Sequence, residues 1–202
     1  MSKFIDIRQN TDEWMELRRG RFTASTFGDL FAAKSTAKYQ NAINKVVFER
    51  VTGTSPESFV NEYMERGHEL EPHAREFYEL TNLVKVTNGG FWTIGDHIGA
   101  SPDGLVGEDG ILEIKCPSYS VMISYLMDGK LPRQYVHQVQ GQLYVTERKW
   151  CDFEAYHPSL KVLTIRVKRD EDLIKEIDVK LKEAIETANQ RVQKYNEIDD
   201  RQ

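Results

Sequence analysis

Ser101-Pro102-Asp103-Gly104 precedes, by a short glycine-containing stretch, the apolar run Ile111-Leu112-Glu113-Ile114-Lys115-Cys116-Pro117. On a strand, side chains two apart share a face. Glu113 and Lys115 therefore point into one space, while Ile114 faces the core and leaves its carbonyl available as a hard oxygen ligand. Gly104, Gly107 and Gly110 let the chain double back and bring Asp103 to the same space. Two carboxylates, a carbonyl and waters suit Mg²⁺, with Mn²⁺ as a substitute. Lys115 would orient an attacking water and help remove its proton, for in-line attack on phosphorus.

Each segment alone also has an ordinary reading. Ser-Pro-Asp-Gly makes a good β-turn, and Glu-Ile-Lys suits the solvated face of an edge strand. Their order and short separation fit the PD-(D/E)xK nuclease signature, with Pro102-Asp103 followed by Glu113-Ile114-Lys115.

The elements around this pair read as alternating helices and strands. Thr11 caps a short helix ending near Gly20, and Thr23-Ala24-Ser25 opens a second helix through Phe31. A third spans Tyr39 to Thr52, and a fourth spans Val60 to Leu80, bent or restarted at Pro72. Leu83 to Thr87, Phe91 to Ile94 and Ile98 to Ala100 are short strands before the hairpin that ends in Glu113. Helices near Tyr119 to Met127 and Arg133 to Val145 follow, then strands Asp152 to Tyr156 and Val162 to Val167. A long helix runs from Asp170 to Tyr195. The expected fold is α/β: a restriction-endonuclease-like core whose mixed central sheet is flanked by helices.

Three groups of polar residues stand near these elements. Glu71, just before Pro72, is either a ligand aimed inward at a kink or surface charge on a glutamate-rich helix. His68 and His73 lack the His-Glu-x-x-His spacing of a zinc helix and read as solvated. In the helix from Arg133 to Val145, which also carries Tyr135, an amide such as Gln138 can face a water or phosphate while Val136, Val139 and Leu143 are buried. Arg18, Arg19 and Arg21 sit at a helix end before Thr23 and Ser25. They either bind a terminal phosphate together with free helix amides or offset the C-terminal helix dipole.

The 202 residues suffice for one domain with a sizeable core, with no linker-like or repeated stretch to divide it. No apolar leader and no run of about 18 apolar residues is present, so a cytosolic protein is expected. Two cysteines, Cys116 and Cys151, are too few for a disulfide framework or a four-cysteine metal site. The net charge of −5 is unevenly spread: residues 1–50 carry nine Lys and Arg against six Asp and Glu, and residues 111–169 nine against five. Residues 51–110 carry three against eleven, and residues 170–202 six against ten. The first and third segments can supply a basic track for phosphates despite the total.

Several motifs together resemble the phage lambda exonuclease and YqaJ-type viral recombinase family. They are Gln9-Asn10-Thr11-Asp12-Glu13-Trp14 with Leu17-Arg18, Thr23-Ala24-Ser25, Gly67 with Glu71-Pro72, the Asp103 and Glu113-Ile114-Lys115 pair, and Gln138-Val139-Gln140, in the family's order. The resemblance implies a processive alkaline exonuclease that degrades one strand of linear duplex DNA from 5′ to 3′. It implies that Asp103, Glu113 and the Ile114 carbonyl bind Mg²⁺ with help from Glu71, that Lys115 activates the water, and that Gln138 positions it. Arg18, Ser25 and Ser101 match positions that hold the 5′-phosphate, and Arg19, Arg21 and Tyr135 are further candidates for DNA contact. A ring-shaped homotrimer and a phage single-strand annealing protein as partner are also implied, in a bacterial cytoplasm. The competing functions are a restriction-like endonuclease and a non-catalytic module that binds DNA ends.

Overall fold

The computed structural model describes residues 1–56 and 62–198. The chain opens with β1 (Ser2–Ile5), then α1 (Asp12–Arg18), in which the Trp14 amide donates to Thr11 Oγ1 at 3.3 Å and Asp12 and Glu13 fill the first turn. Strand β2 (Phe22–Thr23) leads into a 3₁₀ segment, Ala24–Phe31, where an α-helix was expected. Thr23 makes no side-chain cap there, because its hydroxyl lies toward Arg18 and Ser25 instead. Helix α2 (Ala37–Thr52) ends at Gly53 as expected.

Helix α3 (Glu62–Asn82) runs through Pro72 rather than restarting there. The missing Pro72 N–H leaves the His68 carbonyl without its helical donor. Both residues are exposed, so water can take that place. Val60, the expected start of this helix, lies outside the described residues. At the other end, Leu83 adopts a left-handed φ of 52° and the Val84 amide donates to the Glu79 carbonyl at 3.2 Å. This helix termination consumes the residues expected to begin a strand, so β3 is only Val86–Asn88.

Strands β4 (Phe91–Ile94), β5 (Ile98–Ala100), β6 (Gly104–Val106) and β7 (Gly110–Lys115) follow, then α4 (Tyr119–Asp128), a 3₁₀ turn and α5 (Val136–Thr146). Strands β8 (Trp150–Ala155) and β9 (Leu163–Lys168) and helix α6 (Glu171–Asn196) complete the fold. The expected mixed sheet has the order β3-β6-β7-β8-β9, with β7 and β8 parallel and the other pairs antiparallel. A second sheet of order β1-β4-β5-β2, not foreseen from the sequence, packs beside it.

Strand β7 is buried on both faces, as a parallel strand between helical layers must be. Leu112 and Ile114 pack with Ala74 and Tyr78 of α3, whereas Ile111 packs with Val139 and Leu143 of α5. Glu113 lies on the α5 side and is only 1% exposed. Gly141 permits the close approach of α5 to the 3₁₀ segment, since a Cβ at this position would lie 2.4 Å from the Phe27 ring. Phe22, Phe27, Ile43, Ile177 and Leu181 form a separate apolar cluster between α2, α6 and the 3₁₀ segment.

One buried polar group makes the fold sensitive to pH. Among the described residues, Glu154 on β8 has one carboxylate oxygen without a partner, and the other receives only the Thr164 hydroxyl at 3.4 Å. Burial pushes its carboxyl up to about 7, against the Thr164 bond and with Asp152's charge adding. Below the ordinary value of 4.5, folded and unfolded chains both hold the proton and the contribution to stability is complete. As pH rises through about 7 it is lost, by about 3 kcal/mol in all. Glu154→Gln should therefore be more stable than wild type at pH 8 and lose much of the decline between pH 5 and 8 in urea melts. An unchanged pH slope in the variant would assign the decline to other groups.

Candidate active site

The side chains of Glu113 and Lys115 do share a face: Lys115 Nζ lies 2.5 Å from Glu113 Oε1. The same oxygen accepts from Gln138 Nε2 at 2.5 Å, and Glu113 Oε2 accepts from Gln142 Nε2 at 2.6 Å. Three donors thus fix one buried carboxylate. The hairpin between β6 and β7 returns Asp103 to this point, where its Oδ2 accepts the Ile114 amide at 2.6 Å.

The electrostatics follow from crowding of acids in a protected place. Burial first, then the charge of Glu113, hold the Asp103 carboxyl well above the usual carboxylate range, with Glu71 adding and Lys115 opposing. Burial alone would lower the Lys115 ammonium. The charges of Glu113 and Asp103 more than reverse that and hold it above its ordinary value. Burial, with Glu71, pushes the neighbouring Cys116 thiol up to about 11, so it is a poor thiolate ligand. Glu71 reaches the cleft from α3, partly exposed and 3.6 Å from Arg75 Nη2.

Arg18, Ser25 and Ser101 line the part of the same cleft around Trp14, and the cleft's volume is about 260 Å³. Trp14 organises this part: its Nε1 donates to Ser101 Oγ at 2.8 Å, and the Arg18 guanidinium lies 4.3 Å from its ring centre. Arg18 Nη2 is 3.5 Å from Thr23 Oγ1, which is 3.2 Å from Ser25 Oγ. Burial lowers the Arg18 guanidinium from its ordinary value, partly offset by Glu49. Among the described residues Arg18 pairs with no carboxylate, so its charge is available to a ligand.

The donor set suits a hard divalent cation. Among the described residues no three His, Cys, Asp or Glu side chains close on one point. Asp103 and Glu113 do line one cleft together with Ile114, whose amide binds Asp103. A cation with oxygen ligands and several waters needs no more, and it would relieve the repulsion that raises Asp103.

Nine of the twelve residues singled out from sequence line this cleft: Arg18, Ser25, Glu71, Ser101, Asp103, Glu113, Ile114, Lys115 and Gln138. Arg19 and Arg21 instead line a neighbouring hollow with Lys45 and Glu49, where Arg19 pairs with Glu16 at 2.6 Å and Arg21 donates to the Leu17 carbonyl. Tyr135 stands behind Lys115, with the ammonium 5.4 Å from its ring and Phe153 on its other side. Sequence reasoning did not single out Gln142 or the brace formed by Trp14. The spacing of Gln138 and Gln142, four apart on one helix face, was the available signal.

With this geometry established, the chain can be set beside known proteins. Residues 13–149 match the YqaJ-like viral recombinase domain. An alkaline exonuclease (LHK-Exo) from Laribacter hongkongensis is 36% identical, and the likeness covers 93% of this chain and 97% of that one at a TM-score of 0.85. The complex of LHK-Exo with dAMP gives a TM-score of 0.86. A phage related exonuclease from Haemophilus somnus 129PT, 15% identical, shares the fold at a TM-score of 0.67 over 90% of this chain and 99% of that one. Uncharacterized protein R354 of Acanthamoeba polyphaga mimivirus is 30% identical over 168 residues, 76% of this chain, and the chain spans 30% of that protein's length.

Proposed function

The chain belongs to the YqaJ-like viral recombinase family, and from that premise we propose that it is a Mg²⁺-dependent exonuclease acting on linear double-stranded DNA. It removes 5′-mononucleotides processively from 5′ to 3′ and leaves a 3′ single-stranded overhang for annealing in phage recombination. One nuclease domain over residues 1–202 carries the activity. The observation that carries this reading is the union, in one small cleft, of the Asp103, Glu113 and Lys115 cluster with the Arg18, Ser25 and Ser101 end. An acid cluster suited to phosphodiester hydrolysis, beside an arginine that pairs with no carboxylate among the described residues and suits a terminal phosphate, favours cutting one nucleotide from an end. The likeness to an alkaline exonuclease that binds dAMP supports a mononucleotide product.

Asp103, Glu113 and the Ile114 carbonyl would hold Mg²⁺, with Glu71 assisting from α3. When bound, the metal supplies charge to the phosphoryl oxygens and polarises water. Gln138 and Gln142 keep the Glu113 carboxylate in one orientation. Lys115, held as an ammonium, orients the attacking water and favours its ionisation by charge. Arg18, Ser25 and Ser101 bind the 5′-phosphate of the shortened strand.

The partners are duplex DNA ends, further copies of this chain in a ring-shaped trimer, and a single-strand annealing protein. A ring with basic surface inside and acidic surface outside reconciles a net charge of −5 with DNA binding. Light scattering at micromolar concentration should read a trimer, and a monomer mass would remove the ring. Among the described residues no helix is long and apolar enough to cross a membrane.

Linear duplex labelled separately at its 5′ and 3′ ends tests the assignment, with closed circular duplex alongside. Magnesium-dependent release of 5′ label with the circle intact is expected. Cutting of the circle would indicate an endonuclease, and tight end binding without cleavage a recruitment module.

A further inference from the structure

The cleft continues past Asp103 into a second lobe of about 580 Å³, which shares Glu71, His68 and Asp103 with the first and adds Arg8, Arg75 and Asn88. A phosphodiester cut at Asp103 and Glu113 has chain on both sides of its phosphorus. With the 5′-terminal phosphate held by Arg18, the nucleotide on the 3′ side of the scissile bond must leave by another route, and the second lobe, which shares Asp103 but not Arg18 with the first, offers one. The next phosphodiester goes with it.

Resting on the exonuclease reading above, we propose that the second lobe binds the phosphodiester immediately 3′ to the scissile bond and that Arg8 is its cation. The backbone around Arg8 is fixed on both sides. Asn88 Nδ2 donates to the Ile7 carbonyl at 3.0 Å and to Asp6 Oδ1 at 2.7 Å, and Gln9 Nε2 donates to the Pro102 carbonyl at 2.8 Å. Thr11 Oγ1 donates to the Arg8 carbonyl at 3.0 Å, and Asn10 takes a left-handed φ of 63° beside it. The guanidinium itself makes no hydrogen bond or ion pair among the described residues. Arg75, by contrast, is committed to the Asp103 carbonyl and Glu71.

A pinned backbone carrying an uncommitted cation at the lip of a polar cavity is pre-organised for a phosphate. The position also gives the cation a role in processive cutting. After each cleavage the strand advances by one nucleotide, the phosphodiester at Arg8 passes to Asp103 and Glu113, and Arg8 receives the next phosphate and sets the register for the next cut.

The test replaces the phosphodiester immediately 3′ to the first scissile bond with an uncharged methylphosphonate, in a duplex offered to wild type and to Arg8→Ala. Wild type should lose about tenfold in kcat/KM on the modified duplex. Arg8→Ala should lose about as much on unmodified duplex and little more on the modified one, and the slope of log kcat/KM against log salt should become shallower by about one. Equal methylphosphonate penalties in the two proteins would overturn the subsite while leaving the exonuclease reading intact. No cleavage of unmodified duplex by wild type would overturn the exonuclease reading and the subsite with it.

Discussion

Lys115→Ala is expected to lower turnover on linear duplex DNA by about 10³-fold or more while leaving DNA-end binding largely intact. The expectation rests on where the ammonium sits. It contacts the most buried carboxylate of the cleft at 2.5 Å, beside a second acid. It lies against the Tyr135 ring and is only partly exposed to solvent. The Arg18 end of the cleft does not use it, so binding and chemistry should separate. Removing a cation from between Asp103 and Glu113 makes the acids more attractive to a metal, so the Mg²⁺ concentration giving half-maximal rate should not rise. Single-turnover kinetics across a magnesium titration, with end binding followed by fluorescence anisotropy, read both quantities. Unchanged turnover would remove Lys115 from the chemistry. A loss restored by excess Mg²⁺ would mean that it supports metal binding instead.

The residues that carry this expectation were legible in the sequence because short-range rules position them. Glu113 and Lys115 share a face by strand periodicity alone, and Ile114 faces α3 for the same reason. Asp103 returns to them through a tight hairpin of adjacent strands. What escaped the sequence depended on long-range pairing. Strand β1 pairs with β4 far along the chain, Ser2 opposite Ile94, and β2 has only two residues, too few for a period to register. Gln142 looked like one more polar residue on a polar helix. Its buried role appears only when Gly141 lets α5 settle against Phe27 and turns both amides toward Glu113.

The charge division read from the sequence acquires a physical meaning in the fold. The acidic stretch of residues 51–110 supplies Glu71 and Asp103, so part of its excess charge is gathered at the cleft rather than spread over a solvated face. A negatively charged protein can therefore present separate sites for a cation and for phosphates a few residues apart. Lys115 and the two glutamines hold Glu113 in place and the Ile114 amide holds Asp103, while Arg18 lies against Trp14 in the same cleft.

Arg18→Ala is expected to reduce kcat/KM on 5′-phosphorylated ends about 10- to 100-fold more than on 5′-hydroxyl ends. The guanidinium is largely removed from water, which lowers its pKa, and among the described residues no carboxylate pairs with it. A cation held this way costs stability unless a ligand supplies the missing anion. Trp14 both carries the guanidinium on its ring and fixes Ser101 Oγ, so the hydroxyl and the charge are held by one side chain. A doubly charged terminal phosphate engages the charge and the hydroxyls together, whereas a 5′-hydroxyl offers one neutral oxygen and no charge to the guanidinium. The ratio of rates on the two ends cancels any loss of folded protein that the variant suffers. A drop of the same size on both ends would place Arg18 in the framework of the cleft and leave the terminal phosphate to be held elsewhere.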